Sequence, residues 1–360
     1  MLYRLLKCMD AARFESQVVC LIHAGPIGEK IQALGIPVYS LNMQPGEPSL
    51  QALFRLTRLL RRISPDLVQT WLYHADLFGA LAAKTLGVPV LWNIRASNMN
   101  MSFYRRLTRF VQRACVQLSG WPQVVIVNSK AGQDFHEQLG YHPRRWVLIP
   151  NGIDTMQFQP NIHARLSLRN ELGLAPDSLL VGLVARFDPM KDHQGFLQAS
   201  KLLACKLPDV HFVLAGNGVE RSKPWFSAFL ECEQLHDRLH FLGQRDDIPE
   251  LTAALDIATS SSAYGEGFSN TIAEAMSCGI PCVVTDVGDS AFLVEKTGIV
   301  VTPQDPQALA NGWQQLITLG VAGRNALGAA GRQRILQYFQ QGEIIRQYEW
   351  LYESLMSPDK

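Results

Sequence analysis

The 360-residue sequence predicts an α/β protein of two doubly wound domains, each a parallel sheet covered by helices on both faces. Three observations lead there. The length is about two and a half times a ~150-residue domain unit. Short apolar runs alternate with amphipathic stretches in a βαβ rhythm. That rhythm restarts after I-P-N-G-I-D-T-M-Q-F-Q-P (149–160), where the charge also changes sign. Residues 1–150 hold 17 Lys/Arg and 8 Asp/Glu, a net of +9; residues 151–360 hold 16 and 24, a net of −8. Apolar residues make up 47% and charged residues 18%, so the chain can bury a core.

In chain order, the expected strands of the first half are 17–22, 67–71, 88–92, 123–127 and 146–149. Those of the second half are 179–185, 210–215, 238–242, 256–259, 281–285 and 298–302. Most are continuous apolar runs, as strands buried on both faces require. The expected organisation is a first domain over 1–152, a linker over 153–177, a second domain over 178–341 and a closing helix over 342–360.

Several function classes are excluded. The total charge is +1, which argues against a globally basic nucleic-acid binder. No apolar run approaches the ~18 residues of a membrane span. Arg4, Lys7 and Asp10 interrupt any secretory apolar region. Seven scattered cysteines without a C-x-x-C pair read as reduced thiols in the cytosol, and no zinc site is expected.

Two segments carry candidate chemistry. In L-V-A-R-F-D-P-M-K-D-H (183–193), Arg186 follows an apolar strand and Lys191 precedes a helix with Asp192 as its expected N-cap. An arginine fork, a lysine point charge and a helix N-terminus suit a diphosphate. The bland alternative is a solvated loop pairing Arg186 with Asp188 and Lys191 with Asp192. In E-G-F-S-N-T-I-A-E-A-M-S-C-G-I-P (266–281), a glycine-containing loop feeds a helix capped by Ser269 or Asn270 and closed by Gly279 and Pro281. The first-turn N–H groups of Phe268, Ser269 and Asn270 suit an anion. Glu266 and Glu274 suit hydroxyl groups; the bland alternative is that they only complement the positive helix end. Cations for phosphates together with acceptors for hydroxyls match a nucleotide-sugar.

Arg186 with Lys191, then Glu266 and Glu274, resembles the signature of the large retaining glycosyltransferase family that includes sucrose synthase and bacterial polysaccharide and lipopolysaccharide transferases. I-P-N-G-I-D (149–154), V-N-S (127–129), A-G-N-G (215–218), F-L-G (241–243) and G-I-P-C-V-V-T-D-V-G-D (279–289) extend the match over nearly the whole chain. The resemblance implies the GT-B fold, two Rossmann-like domains facing an interdomain cleft, with a C-terminal helix crossing back to the first domain. It implies that Arg186 and Lys191 neutralise the donor diphosphate and that Glu274 binds the ribose. Glu266 would contact the transferred sugar, and the 267–270 backbone, from Gly267 to Asn270, and Gly216 would line the donor. No cofactor or metal is implied, and the chain contains no D-x-D tripeptide.

The first half matches less closely. His74, in Q-T-W-L-Y-H-A-D-L (69–77), follows a strand; it reads either as a cleft residue or as a cap of the next helix. Arg95, in W-N-I-R-A-S (92–97), stands where many family members have a histidine near the transferred sugar. The resemblance also implies an opening strand and glycine-rich loop, whereas residues 1–14 read as the helix that follows them; the expectation is that such a segment is encoded upstream. Helix 103–118 places Arg105, Arg106, Arg109 and Arg113 on one arc, with Phe103, Leu107, Phe110, Val111, Ala114 and Leu118 on the other side. Helix 50–63 clusters Arg55, Arg58, Arg61 and Arg62 similarly. These stripes read as solvated faces or as peripheral contacts with an anionic membrane surface on its cytoplasmic side. No aromatic residue interleaves with the arginines, which disfavours nucleic acid.

The resulting expectation is a retaining, metal-independent transferase moving a sugar from a nucleotide-diphosphate-sugar to a polysaccharide, lipopolysaccharide or lipid-linked acceptor. The alternatives are a nucleotide-sugar-binding protein without turnover and a GT-B-fold epimerase.

Overall fold

A computed structural model describes residues 1–44, 49–95, 97, 106–223, 225–226 and 235–356. The chain divides into two compact units: Met1–Gly152 with Gln341–Lys360, and Ile153–Gln340.

In the first unit, β1 (Val18–Cys20) and β2 (Val38–Ser40) form a parallel pair. A separate four-stranded parallel sheet runs in sequence order through β3 (Val68–Trp71), β4 (Val90–Ile94), β5 (Val124–Val127) and β6 (Trp146–Leu148). β2 was not expected, because V-Y-S is short and lacks an apolar run. The helices are α1 (Leu2–Cys8), α2 (Gly25–Gln32), α3 (Leu50–Ile63), α4 (Tyr73–Leu86), α5 (Arg106–Leu118) and α6 (Lys130–Gln138).

Burial on both faces explains why β5 is apolar at every position and β4 at every position but Asn93, whose Nδ2 donates to the Tyr348 hydroxyl at 3.1 Å. Trp92, Ile94, Val125 and Val127 pack with Tyr73 and Ala80 of α4 and Val111 and Cys115 of α5. Leu91, Val124 and Ile126 point the other way, into a cluster with Leu5 of α1 and Ile344, Ile345, Tyr348 and Leu351 of the final helix, Gln341–Met356. A Cβ on Gly152 would lie 2.8 Å from Gln341 Cα, so this close passage requires glycine.

In the second unit, β7 (Leu179–Val184), β8 (Val210–Ala215), β9 (Leu239–Phe241), β10 (Ile257–Ser260), β11 (Cys282–Thr285) and β12 (Gly298–Val301) form one parallel sheet in the order β12-β11-β10-β7-β8-β9. The chain builds outward from β7 to β9, then returns to place β10 on the other side of β7. This makes a topological switch point between β7 and β10. The helices are α7 (Ile162–Glu171), α8 (His193–Ala204), α9 (Ile248–Ala253), α10 (Asn270–Ser277), α11 (Ser290–Val294), α12 (Pro306–Thr318) and α13 (Gly320–Tyr338); the final helix of the first unit is α14. Val181, Leu183, Phe212 and Leu214 meet Phe196 of α8 and Trp313 of α12 on one face. Leu180, Val213 and Ala258 meet Leu168, Leu251, Ile272 and Ile335 on the other.

Residues 153–177, expected as a linker, instead belong to the second unit and carry α7. The anchor is Arg169, 1% exposed: its Nη2 bonds Asp256 Oδ2 at 2.6 Å, its Nη1 the Ala254 carbonyl at 2.9 Å and its Nε the Ser178 carbonyl at 3.1 Å. A buried, fully satisfied arginine looks in sequence like a solvated one, which is why the helix read as a connector. Stripping one partner from such a pair costs about 3–5 kcal/mol.

Buried histidines give the fold an acid limit. In the first unit, His136 Nδ1 meets the Gly132 carbonyl at 2.7 Å and its Nε2 meets the Tyr73 hydroxyl at 2.8 Å. Burial is the main cause that lowers His136, His193 and His240 to about 4 each. The unfolded chain titrates near 6.5, so between 6.5 and 4 it binds protons that the folded chain does not. Stability is therefore complete above pH 6.5 and falls as the pH drops toward 4; for each histidine, a tenfold difference in proton affinity between the two states is worth about 1.4 kcal/mol. The melting temperature should decline steadily below pH 6.5, and His136→Gln should flatten that decline relative to its own value at pH 7. A melting temperature constant from pH 7 to pH 4.5 would contradict this.

Candidate functional site

The site grows out of the switch point, where loops at the carboxyl ends of β7 and β10 meet. After β7, Ala185 N–H bonds the Ala215 carbonyl and Phe187 N–H bonds the Asn217 carbonyl at 2.8 Å, tying this loop to the one after β8. Gly216 (φ +150°) makes that approach possible: a Cβ there would collide with the Ala185 carbonyl and come within 2.9 Å of the Arg186 nitrogen. The chain then turns through a 3₁₀ segment, Pro189–Lys191, capped by the Asp188 carboxylate on Met190 N–H at 2.9 Å. Asp192, in the left-handed region at φ 45°, caps α8 through Gly195 N–H at 2.9 Å.

Arg186 donates through Nε and Nη2 to Asp188 Oδ2 at 3.0 and 2.9 Å. Burial pushes Asp188 up, but the Met190 N–H and the Arg186 guanidinium outweigh it and hold the carboxyl below its usual range. Arg186 is 60% exposed, so the part of its guanidinium that does not face Asp188 stays open to a ligand. The bland pairing is therefore right for Arg186. It is not right for Lys191: Asp192 is occupied as a helix cap, and Lys191 Nζ pairs instead with Glu266 Oε2, 75 positions away. Both members are largely buried, at 16% and 9% exposure.

Around this pair, the segment after β10 acts as a brace. Ser262 Oγ donates to Glu266 Oε2 at 2.9 Å, Ser261 Oγ to the Lys191 carbonyl at 2.7 Å, and Ala263 N–H to the Met190 carbonyl at 2.9 Å. Thr285 Oγ1 at the end of β11 donates to the Ser262 carbonyl at 2.7 Å. From below, Asp289 N–H bonds the Gly267 carbonyl at 3.0 Å. Gly288 (φ +62°) lies so close that a Cβ would overlap the Glu266 carbonyl.

The helix start is where the sequence placed it. Ser269 is the N-cap of α10, though its hydroxyl makes no cap bond, and Gly279 (φ +74°) closes the helix before Pro281. Phe268 turns its side chain into the core against Phe339, with ring centroids 5.4 Å apart, and leaves its backbone at the helix entrance. Glu274 is 6% exposed, one turn into α10. Arg186, Lys191, Gly216, Glu266, Gly267, Phe268, Ser269, Asn270 and Glu274 thus all come from loops and a helix at one edge of the second unit. Two cations, a helix N-terminus and two carboxylates there can hold a diphosphate and hydroxyl groups. Ser261 and Ser262 were not anticipated, and the polar S-S-S run after an apolar strand was the available signal; Thr285 and Gly288 lie in the 279–289 segment that carries the resemblance, but no role was expected of them.

His74 and Arg95 belong to the first unit. His74 is the second residue of α4, whose N-cap is Leu72 (φ 73°) with no side-chain bond, so His74 does not cap the helix. Burial lowers its pKa, and its Nε2 is buried without a hydrogen-bond partner among the described residues. Arg95 lies just past β4, held by Tyr348 and Asn151.

On α5, Arg106, Arg109 and Arg113 are exposed as expected; Arg105 and Phe103 lie outside the described residues. Phe110 and Leu107, expected on the core side, are 63% and 36% exposed. At 100° per residue Phe110 falls beside Arg106, and the buried side is Val111, Gln112 and Cys115. On α3, Leu50 and Phe54 are likewise exposed among Arg55, Arg58, Arg61 and Arg62.

The packing at Gly288 generates a direct test. Gly288→Ala should push the 266–267 backbone away and weaken nucleotide-sugar binding at least tenfold by calorimetry, with a lowered melting temperature. Unchanged affinity in the folded variant would show that the brace does not set the site.

Residues 1–157 match the model of Glycosyltransferase Family 4, and residues 178–318 match that of Glycosyl transferases group 1. The chain is 25% identical over 309 residues to an Escherichia coli UDP-Gal:alpha-D-GlcNAc-diphosphoundecaprenol alpha-1,3-galactosyltransferase, spanning 83% of this chain and 79% of that one. It is 32% identical over 222 residues to the lipopolysaccharide core biosynthesis mannosyltransferase LpsB of Rhizobium meliloti, 58% of this chain and 61% of that one. Among solved structures, the Anabaena protein HepE in complex with UDP superposes with a TM-score of 0.84 at 25% identity, over 98% of this chain and 95% of that one. Two family models that between them take in both units, and a UDP-bound neighbour of the same fold over almost the full length, place the chain in the GT-B nucleotide-sugar glycosyltransferases.

Proposed function

We propose that this enzyme transfers a hexose, with retention of configuration, from a nucleotide-diphosphate-sugar to a lipid-linked or polysaccharide acceptor at a membrane surface. The observation that carries the reading is the meeting of Arg186, Lys191 and Glu266 at the switch point of the second unit. Arg186 and Lys191 bind the donor diphosphate, with the N-terminus of α10 as a third positive element. Their contribution is largest in the transition state, where the bond from the anomeric carbon to the phosphate oxygen breaks and charge develops on the departing diphosphate. The acceptor hydroxyl attacks the anomeric carbon from the face that the diphosphate leaves. Its proton passes to a leaving-group phosphate oxygen, so no enzymic carboxylate need act as nucleophile. Glu274 accepts from the ribose hydroxyls. Glu266 holds Lys191 in place and contacts the transferred sugar. Because protein cations offset the diphosphate charge, the reaction proceeds without a divalent metal.

The acceptor class rests on the relatives: one acts on a diphosphoundecaprenol-linked sugar and another in lipopolysaccharide core biosynthesis. The surface of the first unit supports it. Arginines interleaved with exposed Phe110 and Leu107 on α5, and with Leu50 and Phe54 on α3, have the composition of helices that lie in an anionic lipid interface. Among the described residues no helix is long and apolar enough to cross a membrane.

One experiment tests both parts. Transfer from a panel of nucleotide-sugars should be measured onto a lipid-linked sugar held in anionic vesicles, with EDTA present. The account expects turnover unaffected by EDTA and product of retained configuration. Charge reversal to Glu at Arg106, Arg109 and Arg113 should cut the rate on vesicles at least tenfold and spare the rate on a detergent-solubilised acceptor. A strict requirement for Mg²⁺ or Mn²⁺ would overturn the metal-free mechanism, and equal loss in vesicles and detergent would overturn the membrane contact.

A further inference from the structure

Arg95 is a partly buried cation without a counter-charge among the described residues. Its Nη1 donates to the Tyr348 hydroxyl at 3.3 Å, its Nη2 to Asn151 Oδ1, and its guanidinium lies 5.2 Å from the centre of the Trp71 ring. All three partners are neutral. Burial lowers its pKa from the usual arginine value, partly offset by Tyr348, but an arginine remains charged at neutral pH.

The neighbouring sequence supplies no counter-charge. Between Asp76 and Asp134 there is no Asp or Glu, while Lys84, Arg95, Arg105, Arg106, Arg109, Arg113 and Lys130 all fall in that interval. The residues that follow Arg95 therefore bring no carboxylate. Asp76 does not serve either: it is fully buried, hydrogen-bonded to Thr70, and burial raises its pKa well above the carboxylate range.

The position matters as much as the charge. Trp71, Arg95, Asn128 and Asn151 stand at or just beyond the carboxyl ends of β3, β4, β5 and β6, the edge of a parallel sheet at which ligands bind. Asn128 Oδ1 is buried there without a hydrogen-bond partner among the described residues. A guanidinium bonded only to neutral partners can supply donors for phosphate oxygens, and an amide oxygen without a partner among the described residues can accept from a hydroxyl. The second unit has two cations of its own for a diphosphate, so the donor reading leaves Arg95 without a role.

We propose that Arg95 binds a phosphate of the acceptor, so that the acceptor is a sugar carried on a phosphate or diphosphate, and that Asn128 accepts from a hydroxyl beside it. This rests on the transfer reading for the identity of the ligand, not for the existence of the anion site.

Decyl diphosphate is the probe, titrated by calorimetry into the full chain with saturating UDP to fill the donor site; Arg186→Ala reports any residual binding there. Arg95→Gln should weaken decyl diphosphate at least tenfold, the loss expected when a charge-assisted hydrogen bond to an anion is removed. Arg95→Lys keeps the charge, loses the fork and should fall between. Tyr348→Phe removes a neighbour's hydrogen bond but not the cation; it should lower the melting temperature and leave diphosphate binding within about threefold of wild type. Decanoate should bind at least tenfold more weakly than decyl diphosphate. No binding to the wild type, equal binding to wild type and Arg95→Gln, or equal binding of decanoate would each overturn the proposal. Transfer onto a phosphate-free alkyl glycoside separates the two readings. If Arg95→Gln leaves that rate unchanged, the phosphate role is supported. If no acceptor is ever glycosylated yet diphosphate binding depends on Arg95, the anion site stands and the transfer reading falls.

Discussion

The ion pair between Lys191 and Glu266 is the interaction on which the proposed donor site depends. It joins the loop after β7 to the loop after β10 across the point where the sheet reverses its order. Parallel topology guarantees only that the carboxyl ends of these two strands are neighbours. The pair, with Ser262 on Glu266 and Ser261 on the Lys191 carbonyl, fixes the spacing between them. A lysine and glutamate withdrawn from water are costly to separate, because each leaves the other's charge uncompensated. Under the proposed function, the arrangement presents a cation to the donor diphosphate without leaving it mobile. It also makes Glu266 a positioning group for Lys191.

Backbone geometry supports the pair from two sides. Gly216 lets the loop after β8 run against Ala185 and Arg186, and Gly288 lets the loop after β11 run against Glu266. Four loops, from β7, β8, β10 and β11, thus pack main chain to main chain. A side chain at either glycine would force them apart. The chemistry of the site is carried by charged side chains, but its dimensions are set by residues without any.

Much of the fold was legible because parallel strands buried on both faces are written as unbroken apolar runs. Val124–Val127 and Leu179–Val184 are examples, and eleven of the twelve strands among the described residues were anticipated to within two residues at their ends. β2 was not, since Val38–Ser40 is short and only partly buried. The linker reading of 153–177 failed because Arg165 and Arg169 look solvated; their partner Asp256 lies 87 residues beyond Arg169, a separation that periodicity does not see. The same blindness hid the partner of Lys191. The sequence offered the adjacent Asp192, but that carboxylate is already used on Gly195 N–H, and the true partner comes from another loop. On α5, an amphipathic pattern was visible, but the assumption that every large apolar residue faces the core misplaced Phe110. Local signals located the strand ends where chemistry gathers; pairings across the sheet required the structure.

The claim that Lys191 and Glu266 act as one unit is tested most directly by a double-mutant cycle on kcat/KM for transfer, using Lys191→Met, Glu266→Gln and the double variant. The account predicts strong non-additivity: the double variant should be little worse than Lys191→Met alone, because a glutamate that positions the lysine has nothing left to position. If the two losses simply multiply, Lys191 and Glu266 contribute independently and the central role given to their pairing is wrong.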